Sequence, residues 1–172
     1  MDASVPRQTP MKIDNAIESD LPEIVAIYNE VIATSTAVFS EQPTTVERQR
    51  EAFDRRRAEG YPVIVARERG AVLGFGSYGP FRPWPGYRLT VEHSVYVATP
   101  ARRRGIGRRL VEELLERARA QGMHVIIAGI DAENAPSLRM HEQLGFERVA
   151  CLPEVARKFD RWLDLVLLQL IL

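Results

Sequence analysis

The segment Arg102-Arg103-Arg104-Gly105-Ile106-Gly107, followed by Arg108, combines residue types that can hold an anion. Two glycines remove side chains, so that consecutive backbone N–H groups can point at the oxygens of a phosphate, and the arginines supply counter-charge. If the segment opens a helix, its N-terminus adds about half a positive charge, and arginines there oppose the helix dipole unless something negative docks. A phosphate cradle is therefore expected; the alternative is a basic first turn facing solvent. Glu92 lies within an alternating run from Leu89 to Ala98. A carboxylate inside a central strand is costly without a partner or a task, so Glu92 is expected to accept a proton or to join an outward-facing ion pair. Arg82-Pro83-Trp84 offers a guanidinium that can clamp a carboxylate in bidentate fashion and an indole that can wall an apolar side chain.

Two other patterns carry less. Gly74-Phe75-Gly76-Ser77-Tyr78-Gly79 satisfies GxGxxG by letter, but Pro80, Phe81, Arg82 and Pro83 follow where that fingerprint requires a helix. His93, His124 and His141 lack metal-ligand spacing, and no metal is expected.

The elements that must position these groups follow from periodicity. Met11 to Ile17 reads as a strand, and Asp20 with Glu23 as a capping box opening a helix through Ala33. A loop from Thr34 to Pro43 precedes a helix capped by Thr44 or Thr45 and ended by Gly60, whose arginines read as a solvated face. Pro62 to Arg67 and Ala71 to Ser77 form a hairpin, and the loop Gly79 to Arg88 leads to the strand Leu89 to Ala98. On that strand Val91, His93, Val95 and Val97 alternate with Thr90, Glu92, Ser94 and Tyr96. Ile106, Leu110, Val111, Leu114, Leu115 and Ala118 stripe a helix from Gly105 to Gln121, ended by Gly122. His124 to Ile130 is a buried strand, Ala135 to Leu144 a short helix, and Phe146 to Cys151 with Trp162 to Ile171 the last strands. The order βααβββαβαββ predicts an α/β (α+β) fold, with a mixed sheet of six to seven strands flanked by four helices.

The 172 residues suit one domain, 1–172, with residues 1–10 as a flexible polar leader. Lys plus Arg equals Asp plus Glu at 23 each, which gives no reason to expect nucleic acid or a membrane surface as partner. A single cysteine, Cys151, cannot form an internal disulfide, the first ten residues lack a signal-like apolar core, and Leu165 to Leu172 is too short to span a bilayer. The cytoplasm is the expected compartment.

Arg102-x-x-Gly105-x-Gly107 between strand and helix resembles the coenzyme A loop of the GNAT N-acetyltransferases. Asn134, Ala135, Ser137 and the run His141-Glu142-Gln143-Leu144-Gly145-Phe146 resemble the second coenzyme A segment of that family. Three further stretches, Thr90 to Val97, Gly79 to Trp84 and Lys158 to Leu165, are similar to the phosphinothricin and methionine sulfoximine acetyltransferase branch. The resemblance implies acetyl transfer from acetyl-CoA to a small amino-acid-like amine. It implies that Val95, Tyr96 and Val97 present backbone groups to the pantetheine arm and thioester, that Arg103 to Arg108 hold the pyrophosphate, and that Asn134 bonds the arm. It further implies Glu92 as base, directly or through water, His141 in place of the tyrosine that many members use as acid, and Arg82, Pro83, Trp84, Glu92, His93 and Ser94 around the acceptor. Trp84 stands where phosphinothricin-preferring members carry a second basic residue, which favours a sulfoximine or sulfone. The family also implies a homodimer through its terminal strands. Acetylation of a protein N-terminus or another amine, and a non-catalytic acetyl-CoA sensor, stay open as alternatives.

Overall fold

Arg69 and Gly70 both adopt positive φ (51° and 87°), giving the two-residue turn whose twist suits a hairpin. In the computed structural model, which describes residues 10–172, this turn joins β2 (Val63–Glu68) to β3 (Ala71–Pro80). The leader expected over residues 1–10 lies, apart from Pro10, outside the described residues. Also present are β1 (Lys12–Asn15), α1 (Leu21–Thr34), α2 (Val46–Ala58), β4 (Thr90–Val97), α3 (Ile106–Ala120), β5 (Val125–Asp131), α4 (Ala135–Gln143), β6 (Glu147–Lys158) and β7 (Arg161–Ile171). The strands form one sheet in the order β1-β2-β3-β4-β5-β7-β6. Among the described residues, four α-helices and seven strands match the expected class.

Alternation of side chains divides the sheet into two faces. One carries Ile64, Val91, Ile126, Ala128 and Leu168, packed on the striped face of α3 through Leu110, Val111, Leu114 and Ala118. The other carries Val65 and Phe75, packed on Leu21, Ile24 and Ile27 of α1 and Phe53 of α2. Glycines in β3 allow close packing on the first face. A Cβ on Gly74 would lie 2.7 Å from the Tyr96 carbonyl oxygen, and one on Gly76 would lie 3.2 Å from Leu114 Cδ1. The letters GxGxxG thus mark close packing within a sheet.

β4 and β5 are parallel neighbours for only three pairs, Thr90 with Val125, Val91 with Ile126 and Glu92 with Ile127. Beyond Glu92 they part, while β5 continues against β7 from Val125 to Asp131. That divergence opens the site described below.

Several local expectations need correction. No capping box forms at α1. The Asp20 carboxylate instead accepts from Ile17 N–H at 2.8 Å and from Arg67 at 2.5 and 2.7 Å, while Glu23 accepts from Val72 N–H at 2.9 Å. These acids tie the helix start to the sheet rather than to its own first turn. Thr45 caps α2 as expected, accepting from Arg48 N–H at 3.3 Å. β3 continues to Pro80, paired with β4. β6 runs on to Lys158, past Pro153, with register shifts around Ala150 and between Leu152 and Ala156. As an edge strand, β6 can accommodate a proline that lacks an N–H to donate.

At the end of β6, Lys158 turns inward and is 1% exposed. Its Nζ donates to the carbonyls of Ile32, Ser35 and Val38 at 2.7, 2.6 and 2.8 Å. The last carbonyls of a helix have no partners within it, and a cation there also complements the dipole. Lys158 thereby fastens the end of α1 and the loop 35–45 to the β6–β7 hairpin.

Candidate active site

Where β4 and β5 part, a cleft of about 770 Å³ opens between Ser94 to Val97 on one side and Ala128 to Asp131 on the other. Its floor at one end is Arg102, Arg103, Gly105, Ile106, Gly107 and Arg108. From α4 it receives Asn134, Ser137 and His141, and from the loop after α1 it receives Ser35, Thr36 and Ala37. Thr36 closes across the cleft by a hydrogen bond from its hydroxyl to the buried Asp131 carboxylate.

The cradle fits a pyrophosphate on its own geometry. Gly105 caps α3 at φ 75°, and the N–H groups of Ile106, Gly107 and Arg108 in the first turn have no acceptor within the helix. A Cβ on Gly107 would already touch Val97 and Met140, at 3.6 and 3.9 Å. The arginines divide their tasks. Arg103, at φ 62°, lines the cleft, Arg102 Nε donates to the Val97 carbonyl at 3.2 Å, and Arg108 pairs with Glu112 at 2.9 Å. Arg104 turns away, pairing with Glu68 at 2.7 Å, and does not line the cleft. Asn134 uses its Oδ1 to accept from Ser137 N–H at 3.3 Å, capping α4, which leaves its amide N–H groups for another partner.

Glu92 stands at the point where the strands part, on the α1/α2 face. Its Oε1 would be 3.1 Å from a Cβ on Gly129, so the missing side chain in β5 makes room for the carboxylate. It is half-buried and makes no ion pair or side-chain hydrogen bond among the described residues. The ion-paired alternative is therefore not realised. Burial raises its pKa above the ordinary glutamate range, with Arg82 partly opposing the rise. Arg82 itself is exposed, lies 4.1 Å over the Phe81 ring and donates to the Phe81 carbonyl at 2.8 Å. Pro83 and Trp84 are also exposed, Trp84 by 70%, and none of the three lines the cleft.

His93 does not share a wall with Glu92. Alternation sends it to the opposite face, where it is buried between His141 and Phe146. The two histidines meet Nε2 to Nε2 at 3.2 Å, and His141 Nδ1 lies 2.8 Å from the Ser137 carbonyl. A carbonyl only accepts, so His141 carries its proton on Nδ1 and its Nε2 accepts from His93 Nε2–H. His93 Nδ1 is then a bare, buried acceptor without a partner. Burial lowers both pKa values, that of His93 to about 3, its fall reinforced by His141. Both rings are neutral near pH 7.

Sequence reasoning missed the Thr36–Asp131 clasp, the space at Gly129 and the Lys158 fastening. Asp131 at the end of a buried-strand pattern was the one available signal, since a buried acid there requires a partner.

The chain matches the family model described as "Acetyltransferase (GNAT) family" over residues 24–146. It is 48% identical over 159 residues to an L-methionine sulfoximine/L-methionine sulfone acetyltransferase of Pseudomonas paraeruginosa, covering 92% of each chain. A crystal structure of a ribosomal-protein-alanine N-acetyltransferase from Brucella melitensis superposes with a TM-score of 0.92 at 46% identity, covering 94% of this chain and 99% of that one. A phosphinothricin acetyltransferase from Sinorhizobium meliloti, crystallised with acetyl-CoA, gives a TM-score of 0.91 at 35% identity over 94% and 88%. A sheet split beside a glycine-opened helix thus defines an acyl-CoA-dependent transferase. The chain belongs to the GNAT acetyltransferase family and is an acetyl-CoA-dependent N-acetyltransferase.

Proposed function

We propose that this enzyme acetylates the α-amine of a small amino-acid-like substrate such as methionine sulfoximine, methionine sulfone or phosphinothricin. The observation that carries the mechanism is an unpaired, half-buried Glu92 carboxylate at the mouth of the split sheet. Glu92 takes a proton from the substrate ammonium, directly or through one water, and the free amine attacks the thioester carbonyl. Backbone groups of Val95, Tyr96 and Val97 hold the pantetheine arm and thioester while Arg103, Gly105, Ile106, Gly107 and Arg108 hold the pyrophosphate. On collapse, the C–S bond breaks and one of the two protons on the attacking nitrogen passes to the thiolate, the other staying on the amide. Relatives named as a methionine sulfoximine/sulfone acetyltransferase, at 48% identity, and a phosphinothricin N-acetyltransferase, at 37%, support an amino-acid-like acceptor. Arg82 would swing from Phe81 to meet its carboxylate.

We assign the protein a single catalytic domain that works in the cytoplasm, without nucleic-acid or membrane partners. Among the described residues no helix is long and apolar enough to cross a membrane. A homodimer suits the outer strand β6, an open edge with Val149, Leu152 and Val155 exposed beside Trp162.

Thiol release from acetyl-CoA with methionine sulfoximine, methionine sulfone, phosphinothricin, ordinary amino acids and an alanine-initiated peptide tests the substrate. Saturable turnover confined to the free amino acids is expected, with KM raised at least about tenfold by Arg82→Ala, as expected for loss of a charged bidentate bond. Turnover of the peptide alone would instead place this chain's substrate with that named for the Brucella protein.

The histidine pair gives a second expectation. His141 is neutral, with its only ring proton committed to Ser137, so it is a poor resident acid. His141→Phe is expected to lower kcat by less than about tenfold, below the effect of a true general acid, and to leave the pH profile in place. A pH–rate series decides this: a lost limb or a 100-fold fall in kcat would restore His141 to the chemistry.

A further inference from the structure

A second cavity, of about 320 Å³, lies between α1, α2 and the sheet, outside the acetyl-CoA cleft. Arg48, Gln49, Ala52, Arg55 and Arg56 of α2 line it, at the i, i+1, i+4, i+7 and i+8 spacing of one helix face. The expectation of a solvated face holds for Arg48, Arg50, Arg55 and Arg57, which are exposed, Arg50 pairing with Glu18 at 3.1 Å and Arg57 lying over the Phe53 ring; Arg56 departs from it. Arg48 and Arg55 stand at the rim, while Arg56 reaches into partly buried surroundings. None of the three makes an ion pair among the described residues, and no Asp or Glu lines the cavity. The one hydrogen bond from an Arg56 guanidinium nitrogen is a long one, 3.5 Å, to the Ala52 carbonyl of its own helix.

The opposite wall supplies hydroxyl groups from Tyr28, Thr44, Ser77, Ser94 and Tyr96. A partly buried guanidinium without counter-charge, as Arg56 is, is costly, and a wall of neutral hydroxyls does not neutralise it. Burial and the neighbouring Arg55 disfavour the charged form of Arg56, partly offset by Tyr28, Tyr96 and Glu59. A guanidinium cannot resolve this by losing its proton near neutral pH. What satisfies both walls at once is a ligand that carries negative charge on several acceptor oxygens.

We propose that this cavity is a binding site for a small oxyanion, a carboxylate or a phosphate, held by Arg56 with Arg48 and Arg55 at its entrance. It is separate from the pyrophosphate cradle at α3, and the only residues it shares with the acetyl-CoA cleft are Ser94 and Tyr96 of β4.

Isothermal titration of the full chain with inorganic phosphate, and separately with acetate, tests the site. Coenzyme A is kept saturating so that the cradle is filled, and sodium chloride matches the ionic strength. Saturable binding of at least one of the two anions is expected, weakened about tenfold or more by Arg56→Met, the loss of one charged bidentate contact. The double variant Arg48→Met with Arg55→Met changes only exposed side chains, so it folds even where Arg56→Met does not, and it should weaken binding severalfold. Binding of neither anion, or binding equal in wild type and in the folded variants, would overturn the proposal. Binding of one anion alone supports it and names the preferred charge geometry.

Discussion

Glu92→Gln should lower kcat by about 10²- to 10⁴-fold, the contribution typical of a positioned general base, and leave the affinity for acetyl-CoA within severalfold. The amide keeps the shape beside Gly129 but cannot take a proton. Its pH profile is equally diagnostic. The base works only when ionised, and burial raises its pKa, so wild-type activity should fall, as pH is lowered, at a value above the ordinary glutamate range. Glu92→Gln should lack that limb. Stability should move the other way. Because the folded pKa is raised, the folded state binds the proton more tightly than the unfolded chain, and ionised Glu92 costs stability once pH exceeds both values. The glutamine variant should therefore melt no lower than wild type at neutral pH. A variant that lost activity by unfolding would melt lower, so a single thermal scan beside the kinetics separates the two causes.

The largest stability effect is expected at Lys158. Replacing it with Met keeps the aliphatic stem but leaves the carbonyls of Ile32, Ser35 and Val38 without their shared donor. Unsatisfied buried acceptors cost about 1–3 kcal/mol each, less where water can reach them, so a total loss of about 3 kcal/mol is expected. For a chain of this size that corresponds to a fall in Tm of roughly 6–12 °C. Lys158→Arg should not restore it, because a planar fork cannot address three converging carbonyls as a tetrahedral ammonium does. The freed loop also carries Ser35, Thr36 and Ala37 on the cleft wall, so KM should rise at temperatures where the variant is still folded. Urea unfolding of the two variants beside wild type, with KM measured below the transition, is the check. A Lys158→Met protein as stable as wild type would remove the fastening from the account.

Much of this architecture is legible in the sequence. The stripe from Ile106 to Ala118, framed by Gly105 and Gly122, describes its own burial, since a 3.6-residue apolar period and two left-handed glycines have few other uses. The cradle was readable for the same reason: its glycines, its arginines and the helix it opens are adjacent in the chain. What lay hidden is non-local. Nothing in the run Phe146 to Cys151 indicates that β7 inserts between β5 and β6, because strand order depends on pairing partners distant in sequence. Alternation along β4 already separates His93 from Glu92, although the family resemblance implies both around the acceptor. Lys158 and Arg56 were unreadable for a different reason. Long basic side chains are usually solvated, and only the fold shows that one meets three carbonyls and the other faces a cavity without an acid.

The short pairing of β4 with β5 has a thermodynamic side. Past Glu92 both strands keep edges that no neighbouring strand occupies across the gap, in the middle of a sheet rather than at its rim. A ligand that fills the gap completes the sheet, and its binding free energy adds to the folding free energy, by about 2.7 kcal/mol at a hundredfold excess over Kd. The melting point of this enzyme is thus a function of its acetyl-CoA supply, and the protein should resist proteolysis and heat best when the acetyl donor is plentiful.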